Sequence, residues 1–546
     1  MLRSICRVQI AHHVQSCILL FVTNDFKNIE PIVFLWPPAT VSASTWHTSH
    51  APPLGAAYLV GTLLHNSYNV HVIDALGEGL ENYGLTENSR IYYRGLDTED
   101  ILQRISPKCE LIFVSNMFAI GWNHLKSIII EIKKKAPHST IVLGGENVSA
   151  IPQYILNDCE EVDYCCLGEG ENFIIEFCDK FYNNEKVTDI GSLAFRKNDQ
   201  VLTNPKSARI KDVNKIPWPS WDLFPIEKYL SHDITFGVGL GRTMPMMATR
   251  GCPYECTFCS NKDMWGTNYF TRDLDDLFDE IEFYIKKYDI TAIEFHDLTL
   301  FVSKKWIIDF CNKIKERKLD ISWTVSVGTR SEGLDEETIK LIKETNCRYL
   351  AFAPESGSSE TIKSTNKRLD LKKIMKSIQY ASKCDLVTKL NMVIGFPDEK
   401  REDIFKTILF SWKCAIVGVH DIGINIFSPY PGSKLFYDLV KEGTVVLNKD
   451  YFDNLFKWEF FNAKEHPCKN VGSFELYCYN FFGMLVFFIL TYTFHPRRII
   501  PFLAGIPKRK YKTRMEKFIL GFFSNKESLP SILKVNLAIW KRKRSS

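Results

Sequence analysis

The sequence has little that would place the chain outside a reducing compartment or on a nucleic acid. Its 16 cysteines are scattered and show no spacing typical of a disulfide framework, so we expect a cytosolic protein. The formal net charge of +4 over 546 residues is too small to indicate a nucleic-acid partner. The amino terminus has no clear basic start and no small-residue cleavage site, so we do not interpret it as a signal peptide. Internal repeats are absent, and the length predicts two to four domains.

A long uninterrupted apolar run is also missing near the carboxyl terminus. Residues 481–494 are mostly aromatic and aliphatic, but a membrane-spanning helix needs about 20 predominantly apolar residues. An extension to that length includes Asn480 and Glu475. We therefore predict a buried or interfacial helix that caps the preceding domain. The basic groups at 508–510 and 541–544 would also suit contact with a membrane surface, and that alternative stays open.

The first part of the chain alternates between apolar runs and helical patterns. This alternation predicts a doubly wound parallel sheet, and small or polar residues follow the strands at Ser115, Gly144–Gly145 and Gly168–Glu169. Open α/β sheets bind ligands at the carboxyl ends of their strands, although tight turns alone would also explain these glycines. The predicted strands cover residues 31–36, 69–74, 111–115, 140–143 and 162–167, and the predicted helices cover 54–65, 122–135 and 148–157.

A second series of alternating elements follows a linker. The linker combines a short hairpin at 190–202 with a proline-stiffened connector at 216–225 that cannot be helical. Six strand–helix units between residues 241 and 440 predict a parallel (β/α)6 partial barrel, in which chemistry belongs at the carboxyl ends of the strands. The strand-end candidates include His296, Arg330, Glu355, Ser356 and Gly395. His296 is a candidate for substrate binding or proton transfer, although a structural hydrogen bond would equally explain a lone histidine.

Three cysteines in the spacing C-x3-C-x2-C follow the first barrel strand. Cys252, Cys256 and Cys259 lie within eight residues, so their thiolates can converge on one metal centre. A closed zinc or four-iron site needs four ligands, and the next cysteine is Cys311. Three ligands leave a position open for a substrate or cofactor. A zinc site completed from afar and three unrelated core thiols are the alternatives.

This cysteine loop resembles that of the radical S-adenosylmethionine (SAM) enzymes, including the aromatic Phe258 before the last cysteine. The resemblance implies that the three cysteines hold a [4Fe-4S] cluster, which cleaves SAM to a 5′-deoxyadenosyl radical. It also implies that Glu355 and Ser356 lie near the ribose and methionine ends of SAM. Gly395 is expected near the adenine, and Phe258 is the fourth cofactor-binding candidate of this site.

The preceding sheet resembles the cobalamin-binding domain that accompanies many of these enzymes. Its matching motifs include the Pro52–Gly55 opening, Gly144–Gly145 and the sequence Gly-Glu-Gly-Glu-Asn at 168–172. The D-x-H-x-x-G motif that supplies a cobalt-ligating histidine is absent, and Asn147 stands near where many relatives carry a histidine. The resemblance implies cobalamin binding without a protein histidine on cobalt, through the five residues Ser115, Gly144, Gly145, Gly168 and Glu169.

The expected enzyme methylates an unactivated carbon of a small-molecule or lipid-like substrate, with electrons from a donor such as flavodoxin or ferredoxin. Oxidative ring closure, as in the anaerobic porphyrin cyclase, and a non-catalytic cobalamin sensor are the alternatives. We expect a cytoplasmic location, with peripheral membrane contact left open. The predicted segments are an N-terminal extension (1–30), a flavodoxin-like cobalamin domain (31–185), a linker (186–240), the radical SAM partial barrel (241–440) and a helical C-terminal domain (441–546).

Overall fold

A computed structural model of the chain describes residues 26–28, 30–42, 50–88, 91–330, 333–458, 466–505, 511–516 and 519. These residues form two parallel sheets flanked by helices, and a helical C-terminal region packs on the second sheet. Most of the predicted N-terminal extension and the basic groups at 508–510 and 541–544 lie outside the described residues.

The first half of the chain contains a seven-stranded sheet and a small antiparallel sheet. The large sheet has the order β10-β9-β8-β7-β6-β1-β3, and β2-β5-β4 form the small one. The ten strands are β1 (Ile32–Trp36), β2 (Ala39–Ser42), β3 (Val70–Asp74), β4 (Tyr83–Leu85), β5 (Ile91–Arg94), β6 (Leu111–Ser115), β7 (Thr140–Gly144), β8 (Tyr164–Cys166), β9 (Leu193–Lys197) and β10 (Gln200–Thr203).

Five strands of the large sheet are parallel and confirm the predicted doubly wound fold. Their spatial order β3-β1-β6-β7-β8 is the flavodoxin-like order, with the topological switch between β1 and β6. The predicted hairpin is present as β9 and β10, and it extends the sheet because β9 pairs antiparallel with β8. The small sheet was not predicted, since its strands of three or four residues contain no continuous apolar run.

Among the described residues of this half, eight α-helices accompany the strands. They are α1 (Leu54–His65), α2 (Ala75–Glu78), α3 (Thr98–Gln103), α4 (Trp122–Lys135), α5 (Glu146–Ala150), α6 (Pro152–Asp158), α7 (Glu171–Tyr182) and α8 (Ile226–Ser231). The helical stretch predicted at 148–157 is present, but it is divided into α5 and α6 at Ile151. Pro152 disfavours a helical backbone at Ile151, where φ is −134° and ψ is 48°.

The proline-rich connector joins the two halves and is neither helix nor strand, as predicted. Ser220 N donates to Ala57 O at 2.9 Å, which attaches the connector to α1. On its other side, Trp218 Nε1 donates to Asp276 Oδ1 at 3.0 Å. The buried indole of Trp221 completes this packing, so the connector forms part of the core between the halves.

The second sheet contains six parallel strands in the order β11-β14-β15-β16-β17-β18. Within the described residues its end strands β11 and β18 do not pair, so the sheet is an open partial barrel, as predicted. The strands of this half are β11 (Thr243–Met246), β12 (Thr249–Gly251), β13 (Tyr269–Thr271), β14 (Ala292–Phe295), β15 (Ser322–Thr329), β16 (Cys347–Glu355), β17 (Val387–Ile394) and β18 (Asp421–Ile426).

The first barrel strand ends at Met246, although the apolar run in the sequence continues to Ala248. Asp297 accepts hydrogen bonds from Ala248 N, Thr249 N and Thr249 Oγ1, so its carboxylate takes backbone donors that a longer strand would use. The chain then forms the separate β12–β13 pair, from which the cysteine loop begins. The end of β14 therefore fixes the start of the cysteine loop.

Eleven helices of this half are described. They are α9 (Asn261–Trp265), α10 (Leu274–Tyr288), α11 (Lys304–Arg317), α12 (Glu336–Glu344), α13 (Ser359–Ser364), α14 (Leu371–Lys383), α15 (Arg401–Val417), α16 (Lys434–Lys441), α17 (Lys449–Trp458), α18 (Ser473–Phe494) and α19 (Ile499–Gly505). The predicted C-terminal cap is present, since α18 packs on α15 and β18. At 22 residues it is longer than the predicted apolar segment, and by length and composition alone it could cross a membrane.

Candidate cofactor sites and the interface between them

The cysteine loop runs from β12 to α9 and is fixed from several sides. Gly251 has a φ of +91°, and a Cβ at this position would collide with Asn268 O, so only glycine fits. Thr257 N donates to Thr365 O at 3.0 Å, and Thr257 O accepts from Leu435 N at 2.9 Å. Along this loop Cys252 and Cys256 are half-buried and Cys259 is exposed. The loop is therefore ordered by contacts that leave its thiols available.

Two buried cations lie beside these thiols. Burial raises the pKa of the Cys252 and Cys256 thiols, while the positive charges of Lys367 and Arg330 lower it. The two thiols also feel one another, because the Cys256 charge raises the pKa of Cys252. Such an environment favours an anionic group that is held by several thiolates.

The thiol set fits an iron–sulfur cluster better than a single ion. Among the described residues, no group of three or more His, Cys, Asp and Glu side chains could hold one metal ion. A [4Fe-4S] cluster distributes its thiolate ligands over different iron atoms, so they stand farther apart. Cys252, Cys256 and Cys259 would hold three irons, and the cations would offset the charge of the cluster.

The cations belong to a hydrogen-bonded group at the mouth of the barrel. Lys367 Nζ lies 2.9 Å from Glu355 Oε1, and both side chains are largely buried. Arg330 donates to the carbonyls of Lys367 at 2.7 Å and Arg368 at 2.6 Å, and its guanidinium lies 3.7 Å from the ring centroid of Tyr254. Glu355 itself has a φ of +65°, which is rare outside glycine and indicates a constrained residue at a functional position.

Three of the predicted SAM contacts lie around this group. The ring centroid of Phe258 is 5.8 Å from Lys367 Nζ. Phe258 also packs on Phe396, with the two ring centroids 5.5 Å apart. Gly395 precedes Phe396 with a φ of +83°, and its N–H donates to Glu399 Oε2 at 2.6 Å. A Cβ at Gly395 would lie 3.0 Å from Leu476 Cδ1, so the strand end and α18 meet closely here. Phe258, Glu355 and Gly395 thus share the barrel mouth with the cysteine loop.

The hydroxyl of Ser356, the fourth predicted SAM contact, is already hydrogen-bonded to other groups of the protein. Its hydroxyl is 2.8 Å from Thr407 Oγ1 and accepts from Ser358 N at 3.0 Å, and the residue is buried. These bonds attach the end of β16 to α15. A direct contact between Ser356 and SAM stays a prediction, and the bonds provide a structural reason for the residue.

His296 is hydrogen-bonded to the buried carboxylate of Glu294. The Glu294 carboxylate accepts from His296 Nε2 at 3.0 Å, Phe236 N at 2.9 Å and Gly237 N at 2.7 Å. Burial alone would raise the pKa of Glu294, but these hydrogen bonds and that of Ser326 Oγ hold it below its usual value. The hydrogen bond to Glu294 fixes the orientation of the imidazole, so His296 has the structural role that was the alternative to proton transfer. Proton transfer by His296 stays a prediction.

The carboxyl edge of the first sheet carries glycines and unpaired amides. Ser115 and Gly144 are opposite one another in the β6–β7 register, and Gly145 has a φ of +121° close to Asn116 O. Among the residues that the structure describes, neither Asn116 Nδ2 nor either amide atom of the buried Asn147 has a hydrogen-bond partner. Buried amides without partners are costly, and they indicate a polar ligand. Cobalamin fits this edge, because its corrin ring bears amide side chains.

Glu169 has a different environment from the one predicted. Its carboxylate is 2.9 Å from Arg209 Nε and 3.4 Å from Arg250 Nη1, and Ile210 N donates to it at 2.9 Å. Glu171 pairs with the same buried Arg250 at 2.7 Å. Because Arg250 lies two residues before Cys252, these pairs join the first sheet to the cysteine loop. Contact of Glu169 with a cofactor stays a prediction.

The two strand edges are in direct contact. Glu146 of α5 accepts from Ser260 Oγ beside Cys259, and Ser149 Oγ lies 3.3 Å from Met264 Sδ of α9. Ser149 Oγ also accepts from Gly168 N at 2.9 Å. The turn after β7 therefore packs on the cysteine loop and the helix that follows it.

Two family models match the chain in the order of its sheets. The B12 binding domain matches residues 48–177, and the radical SAM superfamily matches residues 246–410. The chain is a radical SAM enzyme with a B12-binding domain. The radical SAM family implies a [4Fe-4S] cluster and SAM, and the B12-binding family implies cobalamin.

Proteins similar to the chain include methyltransferases and a cyclase. An uncharacterised methyltransferase of Pyrococcus horikoshii is 29% identical over 74% of this chain and 82% of its own length. The anaerobic magnesium-protoporphyrin IX monomethyl ester cyclase of Cereibacter sphaeroides is 23% identical over 71% of this chain and 60% of its own length. The radical SAM methyltransferase TsrM of Kitasatospora setae, solved with cobalamin and a [4Fe-4S] cluster, superposes with a TM-score of 0.57 at 15% identity. The superposition covers 76% of this chain and 78% of the TsrM chain, and this likeness shows the fold.

Lys367 is the main residue of the radical SAM domain that sequence reasoning missed. It follows α13 in a segment without a motif, and only folding brings it to Glu355 and Cys256. In the B12-binding domain, the sequence indicates the position of Asn147, but it does not indicate that the amide lacks hydrogen-bond partners among the described residues. An asparagine two residues after paired glycines at a strand end is the available signal.

Proposed function

We propose that the enzyme methylates an unactivated carbon of a small or lipid-like molecule. The observation that carries this proposal is the packing of the B12-binding edge on the cysteine loop, through Glu146–Ser260 and Ser149–Met264. A carbon activated at the barrel mouth would then lie beside a methyl carrier. The methyltransferases among the relatives support the same reaction.

The chain's own residues have separate tasks in this reaction. When bound, the cluster supplies the electron that cleaves SAM, and cobalamin supplies a carrier for the methyl group. Cys252, Cys256 and Cys259 would hold the cluster, while Lys367 and Arg330 would offset its negative charge. The contact between the two edges would exclude water and limit side reactions of a radical.

Oxidative ring closure is the second candidate, and the cyclase relative favours it. Ring closure needs the same cleavage of SAM but no methyl transfer. The arrangement of the two edges supports either reaction, since both place a substrate between the cluster and cobalamin. We place methylation first because it gives the B12-binding domain a direct chemical role. An electron donor such as flavodoxin or ferredoxin and a cytoplasmic location belong to both proposals.

The test is anaerobic incubation of the reconstituted enzyme with methyl-deuterated SAM and a candidate substrate. Methylation uses SAM twice, so we expect 5′-deoxyadenosine and S-adenosylhomocysteine in similar amounts and deuterium in the product. The Cys256→Ala variant, incubated in parallel, controls for non-enzymatic breakdown of SAM. Deoxyadenosine together with an unlabelled, oxidised product would reject methylation of that substrate and favour ring closure.

A further inference from the structure

The helix α18 exposes an apolar face along its whole length. Its inward residues Leu476 and Phe487 are fully buried against the barrel. The outward side chains are also large and apolar, and Phe474 is 66% exposed. The outer face of α18 consists of Phe474, Phe481, Phe482, Leu485, Ile489 and Phe494. The one charged residue of this helix, Glu475, lies in its first turn and pairs with Arg401 of α15 at 2.7 Å. A soluble surface helix normally has a polar outer side, so this face is unexplained by the barrel alone.

Neighbouring elements enlarge the outer face. On the short helix α19, Ile500 is 72% exposed and Leu503 is 56% exposed. On α15, Phe405 and Ile416 are exposed on the same side as Trp412, whose Nε1 donates to Gly483 O of α18 at 3.0 Å. Large contiguous apolar surfaces of this kind mark interaction sites.

The packing of α18 favours a helix that lies on a surface over one that crosses a membrane. Asn480 Nδ2 donates to Ile424 O of the edge strand β18, and His495 Nε2 is 3.0 Å from Ile416 O. Arg498 donates to Gly418 O at 2.7 Å just beyond. Both ends and the centre of the helix are thus bonded to the barrel. Insertion across a bilayer would break these bonds and expose the edge of β18.

The charge distribution indicates what covers this face. Residues 497–546 contain 14 Lys or Arg and two Asp or Glu, whereas the whole chain has a net charge of only +4. This excess of positive charge begins where α18 ends, and Arg497, Lys413 and Lys512 are exposed at that end. An apolar helix face beside basic residues matches the surface of an anionic bilayer, which attracts cations and accepts apolar side chains.

We propose that the outer face of α18 docks on an anionic lipid bilayer, with the helix axis parallel to the membrane plane. The apolar side chains enter the boundary between headgroups and acyl chains, and the basic residues contact anionic headgroups. The amino-terminal end of α18 lies at the barrel mouth, because Leu476 packs on Gly395. Docking therefore places the mouth near the membrane. The proposal does not depend on which reaction the enzyme performs.

The test is co-sedimentation of the full-length reconstituted enzyme with vesicles of phosphatidylcholine containing about 30% phosphatidylglycerol, compared with phosphatidylcholine alone. We expect binding to the anionic vesicles and weaker binding to the neutral ones. The double substitution Leu485→Glu/Ile489→Glu places two charges in the outer face, and we expect about a tenfold loss of binding. The matched control is Val446→Glu/Leu202→Glu, which adds the same charge at exposed apolar residues elsewhere and should bind like the unaltered enzyme.

Several outcomes would overturn the proposal. They are no binding of the unaltered enzyme to anionic vesicles, and equal loss of binding in both double variants. A dimer that dissociates on Leu485→Glu/Ile489→Glu, without vesicle binding, would assign the face to a second copy of the chain. Retention in cell membranes after alkaline carbonate extraction would show a spanning helix instead. The visible absorption of the cluster and the circular dichroism of both variants check that they are folded.

Discussion

The two strand edges that meet at the centre of the molecule differ in charge and in hydrogen bonding. The barrel mouth is charged, and Lys367, Arg330 and Glu355 are all engaged with one another or with backbone carbonyls. At the edge of the first sheet the side chains of Asn116 and Asn147 are neutral, and Asn116 Nδ2 and both amide atoms of Asn147 have no partner among the described residues. Both edges are the carboxyl ends of parallel strands, so the shared fold does not explain the difference.

The difference follows from what each edge is expected to hold. A cluster bound by three thiolates is anionic, and buried cations stabilise it when water is excluded. Cobalamin has a broad ring with amide groups, and unpaired amides with glycine turns leave both hydrogen bonds and space for it. We therefore expect the charged residues Lys367 and Arg330 to serve the cluster, and the neutral residues Asn116 and Asn147 to serve cobalamin. Substitutions can test each assignment separately.

The largest expected effect is the loss of a cluster thiolate. Cys256→Ala should abolish the visible absorption of the reconstituted cluster and the cleavage of SAM, because two thiolates cannot hold the cluster. Cys311→Ala is the matched control, since Cys311 lies on the buried side of the barrel helix α11 and its replacement should leave both properties intact. Production of deoxyadenosine by Cys256→Ala at the unaltered rate would show that the cluster lies elsewhere.

The next effect concerns the buried cation. Lys367→Met leaves the Glu355 carboxylate buried without its partner, which should lower the free energy of unfolding by about 3–5 kcal/mol. We also expect about a tenfold slower cleavage of SAM, because the reduced cluster loses a neighbouring positive charge. Denaturant unfolding and deoxyadenosine formation measure the two effects.

An exposed lysine provides the control for this cation. Lys304 pairs with Asp335 and Glu337 at the surface, and Lys304→Met should change the free energy of unfolding by less than about 1 kcal/mol. Cleavage of SAM should be unaltered in this control. Equal effects of the two substitutions would mean that Lys367 has no special relation to the cluster.

A smaller effect, with opposite signs in two measurements, is expected at the cobalamin edge. Asn147→Leu replaces an unpaired buried amide by an apolar side chain of similar size, which should raise the stability of the cobalamin-free protein by about 1–2 kcal/mol. The same substitution should weaken cobalamin binding about tenfold, because it removes hydrogen-bonding groups. Thermal unfolding and equilibrium titration of cobalamin measure these changes.

The control for Asn147 is an asparagine with satisfied bonds. Asn204 Nδ2 donates to Thr188 O at 2.9 Å and Ile190 O at 2.6 Å. Asn204→Leu should therefore destabilise the protein without changing the affinity for cobalamin. If Asn147→Leu behaves like Asn204→Leu, the amide of Asn147 has a structural role only.

The last expected effect is a pH dependence at the barrel mouth. Burial raises the pKa of Glu399 from 4.5 to about 7, although Gly395 N and Phe396 N donate to its carboxylate. The folded state therefore binds the proton of Glu399 more tightly than the unfolded state does. The contribution of protonated Glu399 to the free energy of unfolding is fully present below about pH 4.5 and is lost as the pH rises to about 7. Glu399→Gln should remove this loss, and its melting temperature relative to the unaltered protein should rise between these two pH values. A difference that does not vary with pH would contradict the raised pKa.

Local patterns in the sequence predicted the two sheets and the three cysteines. The apolar runs of β1 and β6 and the spacing of Cys252, Cys256 and Cys259 are local, so neighbouring residues suffice to interpret them. The Lys367–Glu355 pair and the bonds of Glu294 with Phe236 and Gly237 join distant segments, and no periodicity indicates them. The sequence also does not indicate which face of α18 is exposed, because the helix is apolar on both sides and only its packing on the barrel decides this.

The most direct test of the comparison is to measure iron and cobalamin in the same reconstituted samples. The account predicts that Cys256→Ala loses the cluster iron and keeps cobalamin, and that Asn147→Leu keeps the iron and holds less cobalamin at limiting concentration. Each edge would then bind its own cofactor through its own residues. Parallel loss of iron and cobalamin in both variants would contradict this separation, and so would unchanged cobalamin in Asn147→Leu.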